Sequence, residues 1–145
     1  MIIRCALPDD IPAVAALERE TFSLGAEEAA LERMRQNPNS VILCAGEDGT
    51  LVGYAYFQFV LDEGYVGNLA VRPECRRRGI GEALTCAMAD KAREKGLSFL
   101  TLEVRESNLP AIRLYEKCGY ERVGVRKNYY EKPRENALLL TRSFM

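Results

Sequence analysis

The sequence predicts a mixed α/β (α+β) fold, one domain over residues 1–145 with a central twisted mixed β-sheet of about six to seven strands flanked by about four helices. Apolar runs bounded by turn residues alternate along the chain with amphipathic segments of helical period. Asp48-Gly49 between two apolar runs predicts a β-hairpin. A long amphipathic segment after Gly81 indicates a helix between two further strands.

The first part of the chain is predicted to form one strand and two helices. Residues 2–6 form the strand, and Asp9 or Asp10 caps the helix that follows. The inward positions of this helix are Ile11, Val14, and Leu17 or Glu18, with Phe22 near its end. A second helix over 26–35 ends before the Asn-Pro pair at 37–38, because the residue before a proline disfavours helical backbone.

Three strands are predicted in the middle of the chain. Residues 41–47 and 51–61 are joined by the Asp-Gly turn named above. Residues 65–71 are mostly apolar, which is typical of a buried strand. The Arg-Pro pair at 72–73 ends that strand.

The second half of the chain is predicted to form two helices and three strands. These elements are a long helix over 81–95, a strand over 99–104, a short helix that begins after Asn108 or Ser107 and ends at 118–119, and strands over 120–126 and 136–143. In the long helix Leu84, Met88 and Ala92 recur every four residues, the spacing of one helix face. Gly96 ends this helix, since glycine readily adopts the left-handed backbone found there.

The composition excludes several classes of protein. The net charge is −1 and the basic residues form one local cluster, which argues against a general nucleic-acid binder. No apolar stretch approaches the roughly 18 residues of a membrane span, and the N-terminus lacks the layout of a signal peptide. The 5 cysteines include no C-x-x-C pair, which is typical of free thiols. We therefore expect a cytoplasmic protein that binds neither nucleic acid nor membrane directly.

The chain contains no histidine. This excludes Ser-His-Asp and Cys-His nucleophile systems and His-ligated metal sites. If the chain is an enzyme, proton transfer falls to Glu, Asp, Tyr, Lys, Cys or water, and we expect no metal.

The run Arg76-Arg77-Arg78-Gly79-Ile80-Gly81 lies between a predicted strand and the long helix. Glycines let the backbone approach a ligand closely, unpaired N–H groups at a helix start attract an anion, and arginines add positive charge. The run therefore predicts a phosphate or pyrophosphate site, with a solvated basic turn as the alternative. Its spacing matches neither the P-loop nor the dinucleotide-binding fingerprint.

A series of motifs carries a family resemblance. They are Asn68-Leu69-Ala70-Val71, Arg76-x-x-Gly79-x-Gly81, Leu102-Glu103-Val104-Arg105, Asn108, Leu114-Tyr115-Glu116-x-x-Gly119-Tyr120 and Arg126-Lys127-Asn128-Tyr129-Tyr130. Their order resembles the GNAT acetyltransferase superfamily and, within it, the RimI-type ribosomal-protein-alanine N-acetyltransferases. The resemblance is strong over residues 60–140, whereas the preceding residues agree mainly in element order. It implies a GNAT-type domain.

The resemblance implies acetyl-CoA as cosubstrate and points to the residues that bind it. The backbone of Leu69, Ala70 and Val71 would pair with the pantetheine arm. The loop over 76–81, with Glu82 at the start of the helix, would bind the pyrophosphate. Asn108 would lie beside the pantetheine and the thiol.

The resemblance also places a general base at Glu103 and a general acid at Tyr115. Acetyl transfer from a thioester to an amine needs a neutral amine and a proton for the departing thiolate, which a carboxylate and a phenol can provide. From the pattern alone, Glu103 could instead lie with Thr101 and Arg105 on the solvent face of a strand. Tyr115 could equally be a core aromatic three residues after Ile112.

We therefore expect an enzyme that acetylates the α-amine of a protein by direct attack on acetyl-CoA. The resemblance suggests a small-subunit ribosomal protein with an N-terminal alanine as acceptor partner, and Tyr129-Tyr130 either clamp that terminus or only pack. The alternatives are acetylation of a lysine side chain or small-molecule amine, and a non-catalytic coenzyme A-binding subunit. Residues 22–25 replace the Pro-Trp-Ser-like run of many RimI-type chains, which leaves the preferred N-terminal residue open.

Overall fold

A mixed seven-stranded sheet with helices on both faces organises the chain, as the sequence predicted. The computed structural model describes residues 1–144. Its strands are β1 (Ile2–Cys5), β2 (Ser40–Glu47), β3 (Thr50–Val60), β4 (Glu63–Val71), β5 (Phe99–Arg105), β6 (Glu121–Tyr130) and β7 (Glu135–Ser143). Its helices are α1 (Ile11–Thr21), α2 (Glu28–Gln36), α3 (Ile80–Glu94) and α4 (Leu109–Lys117). The sheet order is β1-β2-β3-β4-β5-β7-β6, in which β4 and β5 are parallel neighbours.

Two local predictions need correction. The carboxylate of Asp10 accepts a hydrogen bond from the backbone N–H of Leu7 at 2.7 Å and pairs with Arg4, so it closes a short 3₁₀ turn (Pro8–Asp10) before α1 and makes no side-chain cap to α1 itself. Strand β6 continues past its predicted end at residue 126, because pairing with β7 extends to Tyr130 opposite Glu135.

The sheet separates two apolar layers. On one face α3 and α4 pack on side chains such as Phe57 and Leu100, with Leu84 and Met88 of α3 fully buried. On the other face α1 and α2 cover β2 and β3 around the fully buried ring of Tyr54. Among the residues described here, no helix has the length and apolar character needed to cross a membrane.

The parallel strands β4 and β5 pair only at their beginnings. Their register joins Glu63 to Phe99, Gly64 to Leu100 and Tyr65 to Thr101, and the two strands then diverge. Close to the point of divergence β4 carries a β-bulge, because two of its residues (67–68) oppose the single β3 residue Tyr56. The splay between β4 and β5 creates the gap in which the candidate site lies.

Candidate active site

A cavity of about 360 Å³ lies in the gap between β4 and β5. Its lining comes from the β4 bulge, the end of β5, the first turns of α4, and two aromatic side chains. The lining residues are Gly67, Asn68, Leu69, Leu102, Glu103, Val104, Arg105, Asn108, Ala111, Tyr115, Phe22 and Tyr130. Leu69, Glu103, Asn108 and Tyr115, each predicted as a site residue, therefore meet in one cavity.

Glu103 and Tyr115 approach this gap from opposite faces of the sheet. Tyr115 belongs to the apolar layer on the α3 and α4 side, together with Leu102 and Val104 of β5. Because side chains alternate along a strand, Glu103 points to the other face, the placement that the sequence analysis gave as the alternative from the strand pattern alone. Two ligands, a group donor and a group acceptor, could therefore enter from the two faces of the sheet and meet between the strands.

The carboxylate of Glu103 is partly exposed and has one cationic neighbour. Its Oε1 atom lies 3.4 Å from Nε of Arg126 on β6, and its side chain is 34% exposed. A surface ion pair of this kind is weak, because solvent screens it and both side chains lose freedom to form it. The side chain of Glu103 thus borders the cavity and is partly exposed to solvent.

Tyr115 is held by the short helix α4. The Oδ1 atom of Asn108 caps this helix by accepting the backbone N–H of Ala111 at 3.3 Å, as predicted. Burial raises the pKa of the Tyr115 phenol above its ordinary value, with a smaller contribution from Cys118. The phenol therefore keeps its proton at neutral pH, which is the state a proton donor needs.

The arginine-glycine loop precedes α3 at the far end of β4. Gly79 is the residue before α3 and has φ of +79°, a left-handed conformation that glycine adopts without the strain a Cβ would cause. Within residues 1–144, the backbone N–H groups of 77–82 donate no hydrogen bond to another residue. These groups and the positive end of the helix dipole form the kind of cradle that binds phosphate groups.

The three arginines of this loop have different surroundings. Arg78 forms an ion pair with Glu47 of β2. Nε of Arg76 donates to the carbonyl of Val71 at 3.3 Å. The exposed guanidinium of Arg77 contacts no acidic side chain or carbonyl in the part of the chain described, so Arg77 is the arginine most available to an anion.

The predicted cofactor-binding residues of β4 differ in what their side chains do. Leu69 lines the cavity, whereas Ala70 is buried in the layer on the α1 side and Val71 packs on the opposite layer. Beyond Tyr65 the β5-facing backbone edge of β4 has no partner strand among the residues described. That free edge matches the predicted pairing with an extended ligand that carries amide groups. Gly81 lies close to both β4 and α4. A Cβ at this position would lie 3.8 Å from Leu69 and 3.3 Å from Leu114.

A wider groove of about 940 Å³ continues from the cavity on the Glu103 side. It runs between residues 21–24, at the end of α1, and residues 129–132, at the end of β6 and the start of the turn to β7. Tyr129 and Tyr130 pack edge to face across 5.0 Å at this turn, and both line the groove. Phe22, Asn68, Arg105 and Tyr130 line both spaces, so the groove and the cavity are neighbours.

Arg105 and Glu135 fix the turn that borders the groove, and the sequence interpretation did not single out either residue for this role. Arg105 donates to the carbonyls of Glu131 and Pro133, stacks 4.4 Å from the centre of the Tyr130 ring, and pairs with Glu135 at 3.1 Å. Glu135 also accepts the backbone N–H of Ser107 at 2.7 Å, which lowers its pKa. These partners lie about thirty residues away in sequence, beyond the reach of local patterns.

Glu18 is a further residue near the site that the helix pattern did not distinguish from the core residues of α1. Its side chain is fully buried beneath the cavity and contacts Asn68. The sequence contains one indication that Glu18 is unusual. It is a charged residue at the inward spacing of Ile11 and Val14, where an apolar side chain is expected.

Similarity to known proteins extends over most of the chain. The model of the acetyltransferase (GNAT) family matches residues 11–120. A Bacillus subtilis protein named as a ribosomal protein bS18-alanine N-acetyltransferase is 36% identical over 133 residues, which cover 91% of this chain and 88% of that protein. The Haemophilus influenzae enzyme of the same name is 44% identical over 97 residues, 65% of this chain and 66% of that protein.

The solved structure of the Escherichia coli ribosomal-protein-S18-alanine N-acetyltransferase has the same fold. It aligns with a TM-score of 0.88 and 31% identity, and the alignment covers 98% of this chain and 92% of that one. The family predicted from the motifs is confirmed: this chain belongs to the GNAT family of acetyltransferases.

Proposed function

We propose that this chain, acting as one cytoplasmic domain, uses acetyl-CoA to acetylate the N-terminal α-amine of a ribosomal protein that begins with alanine. The observation that carries the proposal is the cavity between β4 and β5, which receives a carboxylate from one face of the sheet and a phenol from the other. GNAT acetyltransferases use acetyl-CoA. The relatives named above act, by name, on the alanine of ribosomal protein bS18.

The donor side of the site suits a long, bent ligand with a pyrophosphate. Acetyl-CoA supplies the acetyl group as a thioester. The free β4 edge at Leu69, Ala70 and Val71 would pair with the pantetheine amides, and Asn108 would lie on the other side of the arm. The N–H groups of 77–82 and the side chain of Arg77 would bind the pyrophosphate.

Glu103 is proposed to take a proton from the acceptor amine, directly or through one water. An α-amine has a pKa near ~8, so a useful fraction is already neutral at physiological pH and a carboxylate suffices as base. A lysine amine, with a pKa near ~10.4, demands more from the same group.

Tyr115 and the backbone of β4 are proposed to stabilise the charges that form during transfer. Backbone N–H groups in residues 69–71 would donate to the oxygen that becomes negative when the amine attacks the carbonyl. The protonated phenol of Tyr115 would donate to the departing sulfur, where the thiolate develops.

The acceptor groove favours a polypeptide terminus. It shares Phe22 and Tyr130 with the cavity and lies between two chain segments, 21–24 and 129–132. An extended peptide can lie in such a groove with its first residue at Glu103.

The test is thiol release from acetyl-CoA by purified protein with a matched set of peptides. The set contains a peptide with the bS18-type N-terminal alanine, the same peptide with other first residues, and an N-acetylated version with a free internal lysine. We expect turnover only with free N-termini and a preference for alanine.

Turnover on the blocked lysine peptide alone would replace the acceptor assignment with a lysine acetyltransferase. Binding of acetyl-CoA without transfer to any amine would favour a non-catalytic coenzyme A-binding subunit. Both outcomes would overturn the proposed function and leave the fold and family unchanged.

A further inference from the structure

Glu18 on α1 is a fully buried carboxyl group for which the proposed chemistry has no use. Its oxygens accept hydrogen bonds from Tyr54 Oη at 2.6 Å, from Tyr56 Oη at 3.1 Å and from the backbone N–H of Ala26 at 2.6 Å. They also accept one from Asn68 Nδ2 at 3.1 Å. All four partners act as donors, which matches the acceptor-only character of a carboxylate.

These contacts connect Glu18 to the segment after α1 and to the β4 bulge. Ala26 belongs to the segment after α1 whose earlier residues, 21–24, border the groove. Tyr56 lies opposite the β4 bulge, where a Cβ on Gly67 would come within 2.2 Å of the Tyr56 ring. The ring of Tyr56 and the carboxylate of Glu18 therefore both contact residues of the bulge.

The contact with Asn68 fixes the orientation of an amide. An asparagine side chain can present either its carbonyl oxygen or its NH₂ group in a given direction, and its hydrogen-bond partners decide which. A carboxylate can only accept, so the NH₂ of Asn68 must face Glu18. The carbonyl oxygen of Asn68 then points away from Glu18.

That oxygen is available to a ligand. Asn68 lines both the cavity and the acceptor groove. Its Oδ1 accepts no hydrogen bond within residues 1–144, and it is not among the buried atoms that lack a partner. A hydrogen-bond acceptor therefore borders the same cavity as Glu103, where the acceptor amine would arrive.

We propose that Asn68 Oδ1 binds an N–H of the acceptor amine and that Glu18 is the positioning residue that turns this oxygen toward it. The inference rests on the proposed function and adds a polar contact for the amine of the substrate. It also explains why a charged residue occupies the inward face of α1.

The experiment compares three variants in the thiol-release assay with the N-terminal alanine peptide. Asn68→Ala removes the oxygen. Glu18→Gln keeps the shape of the side chain but also offers an NH₂ group, so it no longer dictates the orientation of the amide. Tyr54→Phe is the matched control, because it removes one donor to the same carboxylate from a fully buried position outside the cavity and the groove.

We expect Asn68→Ala to raise the KM for the peptide roughly tenfold, the order expected for one hydrogen bond to the reacting amine. Glu18→Gln should raise it by a smaller factor of about two or more, because the Asn68 amide then spends part of its time in the other orientation. The KM for acetyl-CoA should stay unchanged in both. The double variant should show little more than Asn68→Ala alone, because Glu18 acts only through the oxygen that this change removes. Tyr54→Phe should lower the melting temperature while leaving the peptide KM within about twofold of wild type.

A wild-type peptide KM in Asn68→Ala would overturn the proposal, whatever Glu18→Gln does. An equal rise in KM in Tyr54→Phe would also overturn it, since the effect would then come from loss of packing. If Glu18→Gln fails to fold, Asn68→Ala and Tyr54→Phe still test whether the Asn68 oxygen binds the acceptor amine. Absence of N-terminal transfer by the wild type would refute the proposed function and this inference together, whereas transfer with unaltered variants would refute the inference alone.

Discussion

Tyr115 and Tyr120 pack edge to face, with ring centroids 5.2 Å apart and an interplanar angle of 65°. Their hydroxyls have different surroundings. Tyr115 lines the cavity, whereas the hydroxyl of Tyr120 is buried without a partner within residues 1–144. The pair therefore provides two neighbouring phenols of which only one can reach a substrate.

The first prediction uses this pair. Tyr115→Phe should lower kcat by at least about 100-fold, the usual contribution of a positioned acid, with little change in the KM for acetyl-CoA. Tyr120→Phe should retain wild-type kcat and stability, because it removes a buried hydroxyl that forms no hydrogen bond with any residue the structure describes. Steady-state kinetics of the two variants gives the comparison, and equal kcat values would remove Tyr115 from the acid role.

The second prediction concerns the base. Glu103→Gln should reduce kcat/KM by about 100-fold at neutral pH, because an amide cannot take a proton from the acceptor. The deficit should shrink as the pH rises through ~8, where the α-amine loses its proton without help. Profiles of kcat/KM against pH test this, with Glu106→Gln on the neighbouring exposed turn as control. Parallel profiles for Glu103→Gln and wild type would contradict the assignment.

The third prediction follows from the raised pKa of Tyr115. Burial shifts this pKa upward, and the protonated phenol is the form that donates, so the donor is lost only above the ordinary tyrosine pKa of about 10. Wild-type kcat should therefore show no fall between about pH 8 and about pH 10. Rates at saturating substrates, with circular dichroism to verify folding, provide the measurement. A falling limb in this range that Tyr115→Phe lacks would show that the phenol ionises earlier.

The fourth prediction distinguishes two neighbouring arginines. Arg77→Ala should raise the KM for acetyl-CoA about fivefold, because its exposed guanidinium is available to the pyrophosphate. Arg78→Ala should have a smaller effect, since Glu47 already pairs with Arg78. The Arg77→Ala effect should also diminish at high ionic strength. A larger effect from Arg78→Ala would show that the ligand displaces Glu47 and recruits Arg78.

Several features of the site could be predicted because their causes are local. The long helix after the arginine-glycine loop, the cap at Asn108 or Ser107 and the alternation that separates Glu103 from Leu102 each depend on residues within one turn or one strand. The structure begins the long helix at Ile80, earlier than the predicted start after Gly81. The catalytic roles of Glu103 and Tyr115 stay predictions, since they were carried over from the family resemblance.

Other features could not be predicted because their partners are distant in sequence. Glu18 has the spacing of a core residue in α1, and only the approach of β3 and β4 shows that four donors surround it. Arg105 has the spacing of a solvent-facing strand residue, yet it secures the turn beside the groove through Glu135 and Tyr130.

The sequence by itself determined the order of strands and helices, the place of the arginine-glycine loop and the family, because hydrophobic period, turn residues and contiguous motifs are encoded over short stretches of chain. Tertiary structure alone decided that β4 and β5 diverge after three paired positions and that residues 67–68 form a bulge. It also decided that a carboxylate and a phenol meet across the sheet. These relationships arise from the packing of whole elements against one another, which no local stretch of sequence specifies.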